Sequence, residues 1–212
     1  AAMLESTAFA PWVALMLFAF ATSITPGPNN LMLTVIGARF GFCATVPAMA
    51  GILLGMGLLI GLASAGVAAL LLATPGLELA LRALGLGYLL WLAWRLCAPE
   101  TRLEGRQPHR PLTAGEAVLF QFVNPKAWMM AVTAATTFLP GVLPTGGDSQ
   151  GRIAATLAMA LCFVLVGGPC IASWAVLGAA LQRGLRQGAR LRRFNAVMGG
   201  LLAVTALGMV WV

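Results

Sequence analysis

The sequence predicts an all-α integral membrane protein with six transmembrane helices, arranged as two inverted-topology three-helix repeats with broken first and fourth helices. Three observations carry that reading. Of 212 residues, 60% are hydrophobic and 9% charged, with a mean hydropathy of +0.91, against about 25% charged residues in an ordinary soluble domain. Apolar runs long enough to span a bilayer recur six times, separated by Gly, Pro or charge. The run that opens each half is interrupted by proline beside polar residues. The same composition excludes disorder, and the 25 Gly and 12 Pro follow no short fibrous period.

The first half covers residues 1–97, with spans over about 10–36, 44–72 and 77–97. No charged leader or small-residue cleavage site marks the first run, so it is expected to stay in the protein as a span. The second run holds Gly51, Gly55, Gly57 and Gly61. These two G-x-x-x-G spacings suit close helix packing within the protomer, with a homodimer face as their second use. Arg95 stands near the end of the third run, where its stem can snorkel to the interface. A polar loop over 98–116 leads to the second half, 117–212, with spans over about 117–139, 153–181 and 194–212. Gly167, Gly168 and Pro169 interrupt the fifth as a bend or a hinge.

A net charge of +7 would suit a nucleic-acid binder if the basic residues formed a stripe with aromatic interleaving, but they crowd two loops without it, so no nucleic-acid partner is expected. Arg39, Arg95, Arg102, Arg106, Arg110, Arg183, Arg186, Arg190, Arg192 and Arg193 fall on one side of the predicted topology, and Arg82 and Arg152 on the other. The positive-inside rule then puts both termini outside the cytoplasm. Cys43, Cys97, Cys162 and Cys170 form no C-x-x-C pair, and His109 is the only histidine. No metal or cofactor is expected. An enzyme would need a nucleophile or an acid/base pair at mid-membrane, and none is present there.

The candidate site lies at the two interruptions. Thr25, Pro26, Gly27, Pro28, Asn29 and Asn30 interrupt the first span, and Gln121, Asn124, Pro125 and Lys126 the fourth. Pro26 stands ten residues from the end of its span and Lys126 nine from the start of its own, about 14–15 Å deep at 1.5 Å per residue. Proline lacks an N–H and disfavours helix in the residue before it, so each span should unwind and restart there. A restarted helix offers free N–H groups and the positive end of its dipole. Asn29, Asn30 and Lys126 add donors, which together sketch a midplane site for a carboxylate. A cationic substrate is disfavoured by the same charges. A channel-like or accessory membrane subunit is the alternative, separated from a carrier by the absence of saturable flux.

These motifs, with Leu84-Gly85-Leu86-Gly87-Tyr88-Leu89-Leu90-Trp91-Leu92-Ala93-Trp94 in the third span, resemble the LysE/RhtB family of amino-acid exporters over nearly the whole chain. The combination of the first-span and fourth-span motifs looks most like the cysteine/O-acetylserine exporter branch. The resemblance implies export of small amino acids or their derivatives across the inner (plasma) membrane, driven by the proton motive force. Many such relatives carry an aspartate early in the second span, whereas the Gly51 to Gly57 stretch has no acid. Lys126 is then the central group available to exchange a proton as substrate binds.

Overall fold

Two proline-marked breaks organise the helices. In the computed structural model, which describes residues 2–97, 110–143, 148–184 and 189–208, every element among the described residues is helical. Residues 98–109 of the expected loop, with Arg102, Arg106 and His109, lie outside the described residues, as do Arg186 and residues 209–212.

Helix α1 (Ala2–Ile24) stops just before the Pro26-Gly27-Pro28 run, and α2 (Pro28–Phe40) restarts with Pro28 in its first turn, where a missing N–H costs nothing. The two segments are bent by 51°. Helix α2 ends at Gly41, whose φ of 87° is the left-handed conformation that glycine adopts without strain and that lets its N–H return to the Gly37 carbonyl. After a 3₁₀ turn (Phe42–Thr45), α3 (Val46–Leu62) runs into a π turn (Ala63–Val67) and the short α4 (Ala68–Ala73). Gly66, at φ 109°, is non-helical and kinks the chain there. The expected second span is thus a bent rod rather than one straight helix. Helix α5 (Pro75–Cys97) follows.

Helix α6 (Ala114–Val123) starts at a capping box: the Thr113 side chain accepts from the Glu116 N–H, and Glu116 accepts from the Thr113 N–H. That start lies three residues before the predicted span, because the capping box extends the helix into the polar stretch. The chain breaks at Asn124 and resumes as α7 (Pro125–Thr133), a π turn (Ala134–Phe138) and α8 (Leu139–Val142). Helix α9 (Ser149–Cys162) is capped by Asp148, whose carboxylate accepts from the Gly151 N–H, and so begins four residues before the expected fifth span. A π turn (Phe163–Gly167) joins it to α10 (Gly168–Leu181), and α11 (Ala189–Gly208) closes the described fold.

Phe42–Val67 and Ser149–Leu181 are each long and apolar enough to cross a membrane, and the bent pair Phe9–Ile24 with Pro28–Phe40 is so as one span. Phe9, Leu17, Leu54, Leu119, Leu157 and Leu165 point outward and are more than half exposed, as a lipid-facing surface requires. Inside, α2 packs along α10, α3 along α6 and α5 along α11. Glycine allows two of these approaches. A Cβ on Gly178 would stand 2.1 Å from the Thr34 carbonyl oxygen, and one on Gly51 2.2 Å from that of Ala114. A Cβ on Gly55 would stand 2.6 Å from the Gln121 side chain, whereas Gly61 has nothing within 4 Å. The Gly51/Gly55 spacing therefore serves packing within the protomer.

Candidate functional site

Helix breaks inside a membrane expose backbone groups that must find partners within the protein. At the end of α1 they do. The Asn30 Nδ2 group donates to the carbonyls of Ser23 and Thr25, both at 2.8 Å, and the Trp174 indole donates to Ile24 at 3.1 Å. Lys126 Nζ donates to the Thr25 carbonyl at 3.1 Å and to Thr25 Oγ1 at 2.9 Å. A cation thus sits on the negative end of the α1 dipole, its favourable end. At the second break the Asn124 N–H returns to Gln121, and the Trp128 indole donates to Phe122 at 2.9 Å.

The two breaks are also joined to each other. Asn29 and Gln121 exchange a reciprocal amide pair, Nδ2 to Oε1 at 2.9 Å and Nε2 to Oδ1 at 3.0 Å, and Asn124 Nδ2 adds a longer contact of 3.4 Å to Asn29 Oδ1. Lys126 supplies the second link. Its stem runs over Gly27, where a Cβ would meet Lys126 Cδ and Nζ at 3.0 Å. Gly27 has φ −167°, an extended geometry open to any residue, so its requirement is space rather than conformation.

The restarted helices face a shared, partly open cavity of about 40 Å³, lined by Gly27, Pro28, Asn29, Asn30, Gln121, Asn124 and Lys126 and walled by Ile52, Met56, Met130 and Phe163. Neither α2 nor α7 has a side-chain cap on its N-terminus. Pro28 and Pro125 carry no N–H, and the Leu31 and Ala127 N–H groups donate to the Gly27 and Asn124 carbonyls, so a ligand anion is left the N–H groups of Asn29 and Asn30 on α2 and that of Lys126 on α7. Asn124 is 1% exposed and its Oδ1 has no partner. Among the described residues lining the cavity none is acidic, and Lys126 is the one ionisable group.

Seven of the ten predicted site residues line this cavity. The others stand behind it. Thr25 is exposed and holds Lys126, Pro26 is exposed at the bend, and Pro125 packs where a Gly85 Cβ would approach its Cγ to 2.8 Å. Lys126, expected as a positive charge offered to an anion, is engaged at the α1 terminus. Sequence reasoning missed Trp128 and Trp174, which cap the broken ends, and the hydroxyls of Thr22 and Ser23 in the cavity wall. Counting the carbonyls freed by each proline break would have called for such donors. Among the described residues no group of histidines, cysteines and acids could hold a metal.

The chain matches the LysE type translocator family over residues 20–211. It is 32% identical over 187 residues to the cysteine/O-acetylserine efflux proteins of Escherichia coli K12, Shigella flexneri serotype 5b and Salmonella choleraesuis, covering 88% of this chain and 90% of each relative. No solved structure matches it. The match runs along almost the whole chain, so this apolar helical body with its broken-helix polar cavity belongs to the LysE family of translocators.

Proposed function

We propose that the protein is a secondary exporter of small neutral amino acids or their derivatives, of the cysteine and O-acetylserine kind, from the cytoplasm across the inner membrane, driven by the proton motive force. The observation that carries this reading is the meeting of two uncapped helix N-termini in one cavity whose wall includes Asn124, a residue with a buried, unpartnered Oδ1. An amino acid carries a carboxylate for the former and an ammonium for the latter. The carboxylate accepts from the first-turn N–H groups of α2 and α7, where both dipoles favour negative charge. The ammonium donates to Asn124 Oδ1, replacing a buried acceptor's missing hydrogen bond. The apolar wall of Ile52, Met56, Met130 and Phe163 takes a short side chain. Lysine-like substrates fit poorly, since the cavity holds no acid to offset a second positive charge.

In this reading the chain crosses six times, as two inverted three-helix halves. Helices α1–α2 and α6–α7 are the broken openers, and α5 and α11, 23 and 20 residues long, are the last crossing of each half. Lys126 is the ionisable group through which protons couple to transport. Support comes from its place between the α1 terminus and the cavity. Reconstituted vesicles loaded singly with radiolabelled cysteine, O-acetylserine, threonine, leucine or lysine test the proposal. Saturable flux of the small neutral substrates, stimulated by a proton gradient, is the expected result. Flux of none above protein-free vesicles would reject it.

A further inference from the structure

A second feature lies away from the polar cavity, where the end of α3 meets the start of α9. A groove of about 250 Å³ opens there, lined by Gly61, Ser64, Ala65, Arg152, Thr156 and Leu157 among others. The π turn with Gly66 at φ 109° interrupts the regular helical ladder. Arg152 meets a carbonyl of that turn, donating from Nε at 3.2 Å and Nη2 at 2.7 Å to the Ser64 oxygen. Both contacts go to one neutral acceptor. Among the described residues Arg152 has no acidic partner, so its charge is unbalanced. The Ser64 hydroxyl, on a residue 3% exposed, has no partner at all.

The surroundings are those of a lipid-facing slot. Ile153 and Leu157 line the same groove and are 61% and 65% exposed. Arg152 lies in the first turns of the apolar helix that begins at Ser149, and Ser64 lies near the end of the one that closes at Val67. Charge therefore stands at the membrane boundary, and the apolar wall extends from it along α9 by one helical turn and more.

We propose that this groove binds one phospholipid of net negative charge, its phosphate accepting from the guanidinium N–H groups of Arg152 that the Ser64 carbonyl leaves free, and an acyl chain lying along Leu157. A planar guanidinium suits phosphate oxygens, and a cation without a carboxylate favours a headgroup that carries net charge. Free inorganic phosphate would use the polar end alone and leave the apolar wall uncovered. The bound headgroup fixes Arg152 beside the kink at Gly66.

Native mass spectrometry of the purified full chain, released from detergent micelles containing phosphatidylglycerol, tests this. The wild type is expected to retain one phosphatidylglycerol, which phosphatidylcholine replaces poorly and millimolar inorganic phosphate does not displace. Arg152→Ala is expected to lower retention about tenfold, as the loss of a charged hydrogen bond implies. Leu157→Trp fills the groove while leaving the Arg152 to Ser64 contact in place, and is expected to lower retention similarly. Should Arg152→Ala fail to fold, Leu157→Trp alone decides. Unchanged retention in a folded variant, or displacement by inorganic phosphate, would overturn the proposal.

Discussion

Lys126 and Asn29 each tie one broken helix to the other, by different physics. Lys126 places a charge on the Thr25 carbonyl and hydroxyl, and Asn29 shares a neutral amide pair with Gln121. A methyl added at Gly27 has no room unless Lys126 moves. Gly27→Ala is therefore expected to leave folding intact and lower transport about tenfold, the effect of one misplaced charged hydrogen bond, measured as initial flux. The amide pair should be worth about 0.6 kcal/mol and at most about 1.7, as interhelical hydrogen bonds in membranes are. A double-mutant cycle of Asn29→Ala and Gln121→Ala, read by denaturant unfolding, measures it. The sequence made these residues candidates because polar groups beside intramembrane prolines are costly without a use. It could not give their partners, since pairing Asn29 with Gln121 bridges 92 positions.

At the scale of elements, the helices approach as closely as their glycines permit. Gly178→Ala puts a methyl against the Thr34 carbonyl, and overpacking of that kind costs about 1–3 kcal/mol. Gly61→Ala meets nothing and should be neutral or slightly stabilising, since alanine is the better helix former. Thermal unfolding of the two variants side by side checks the contrast. G-x-x-x-G spacing alone could not rank these positions, because it says a helix can be approached and not by what. Helix α6 carries a pH dependence through its cap. The Arg110 guanidinium, at 2.7 and 2.8 Å, together with the N–H and hydroxyl of Thr113, holds the Glu116 carboxyl down from 4.5 to about 2. A lowered carboxyl pKa stabilises the fold fully above the unfolded value, and that contribution disappears as pH falls from about 4.5 to about 2. The pair is exposed, so the loss is small. Glu116→Gln should flatten the stability of the wild type across that window, followed by thermal melts. The Thr113-x-x-Glu116 pattern is a capping-box signal, and it starts the helix three residues before the predicted span, within the polar stretch.

For the whole molecule, composition was enough to select a helical membrane protein, because a chain with 9% charge cannot cover its helices for water. The breaks were legible too, since proline's missing N–H acts locally. The kink at Gly66 was not: a lone glycine in an apolar run is compatible with a straight helix, and nothing in the residues around it marks its positive φ. The six-crossing arrangement has its own test in two native cysteines. Cys43 and Cys97 are exposed near the ends of predicted spans that face the cytoplasm. A membrane-impermeant maleimide is expected to label both in inverted vesicles and neither in intact cells, and Ser149→Cys in cells. The reverse pattern would invert the orientation.

In the proposed function one cavity reads both ends of a small amino acid, the carboxylate at the α2 and α7 N-termini and the ammonium at Asn124. The most direct measurement is inhibition of O-acetylserine flux by carboxyl-amidated and by N-acetylated analogues of the same substrate. Both analogues should compete at least about tenfold more weakly than the parent, because each leaves a charged hydrogen bond unmade, and Asn124→Ala should abolish discrimination against the N-acetylated one alone. Equal competition by the carboxyl-amidated analogue would contradict the account, since two helix N-termini cannot then be what holds the substrate.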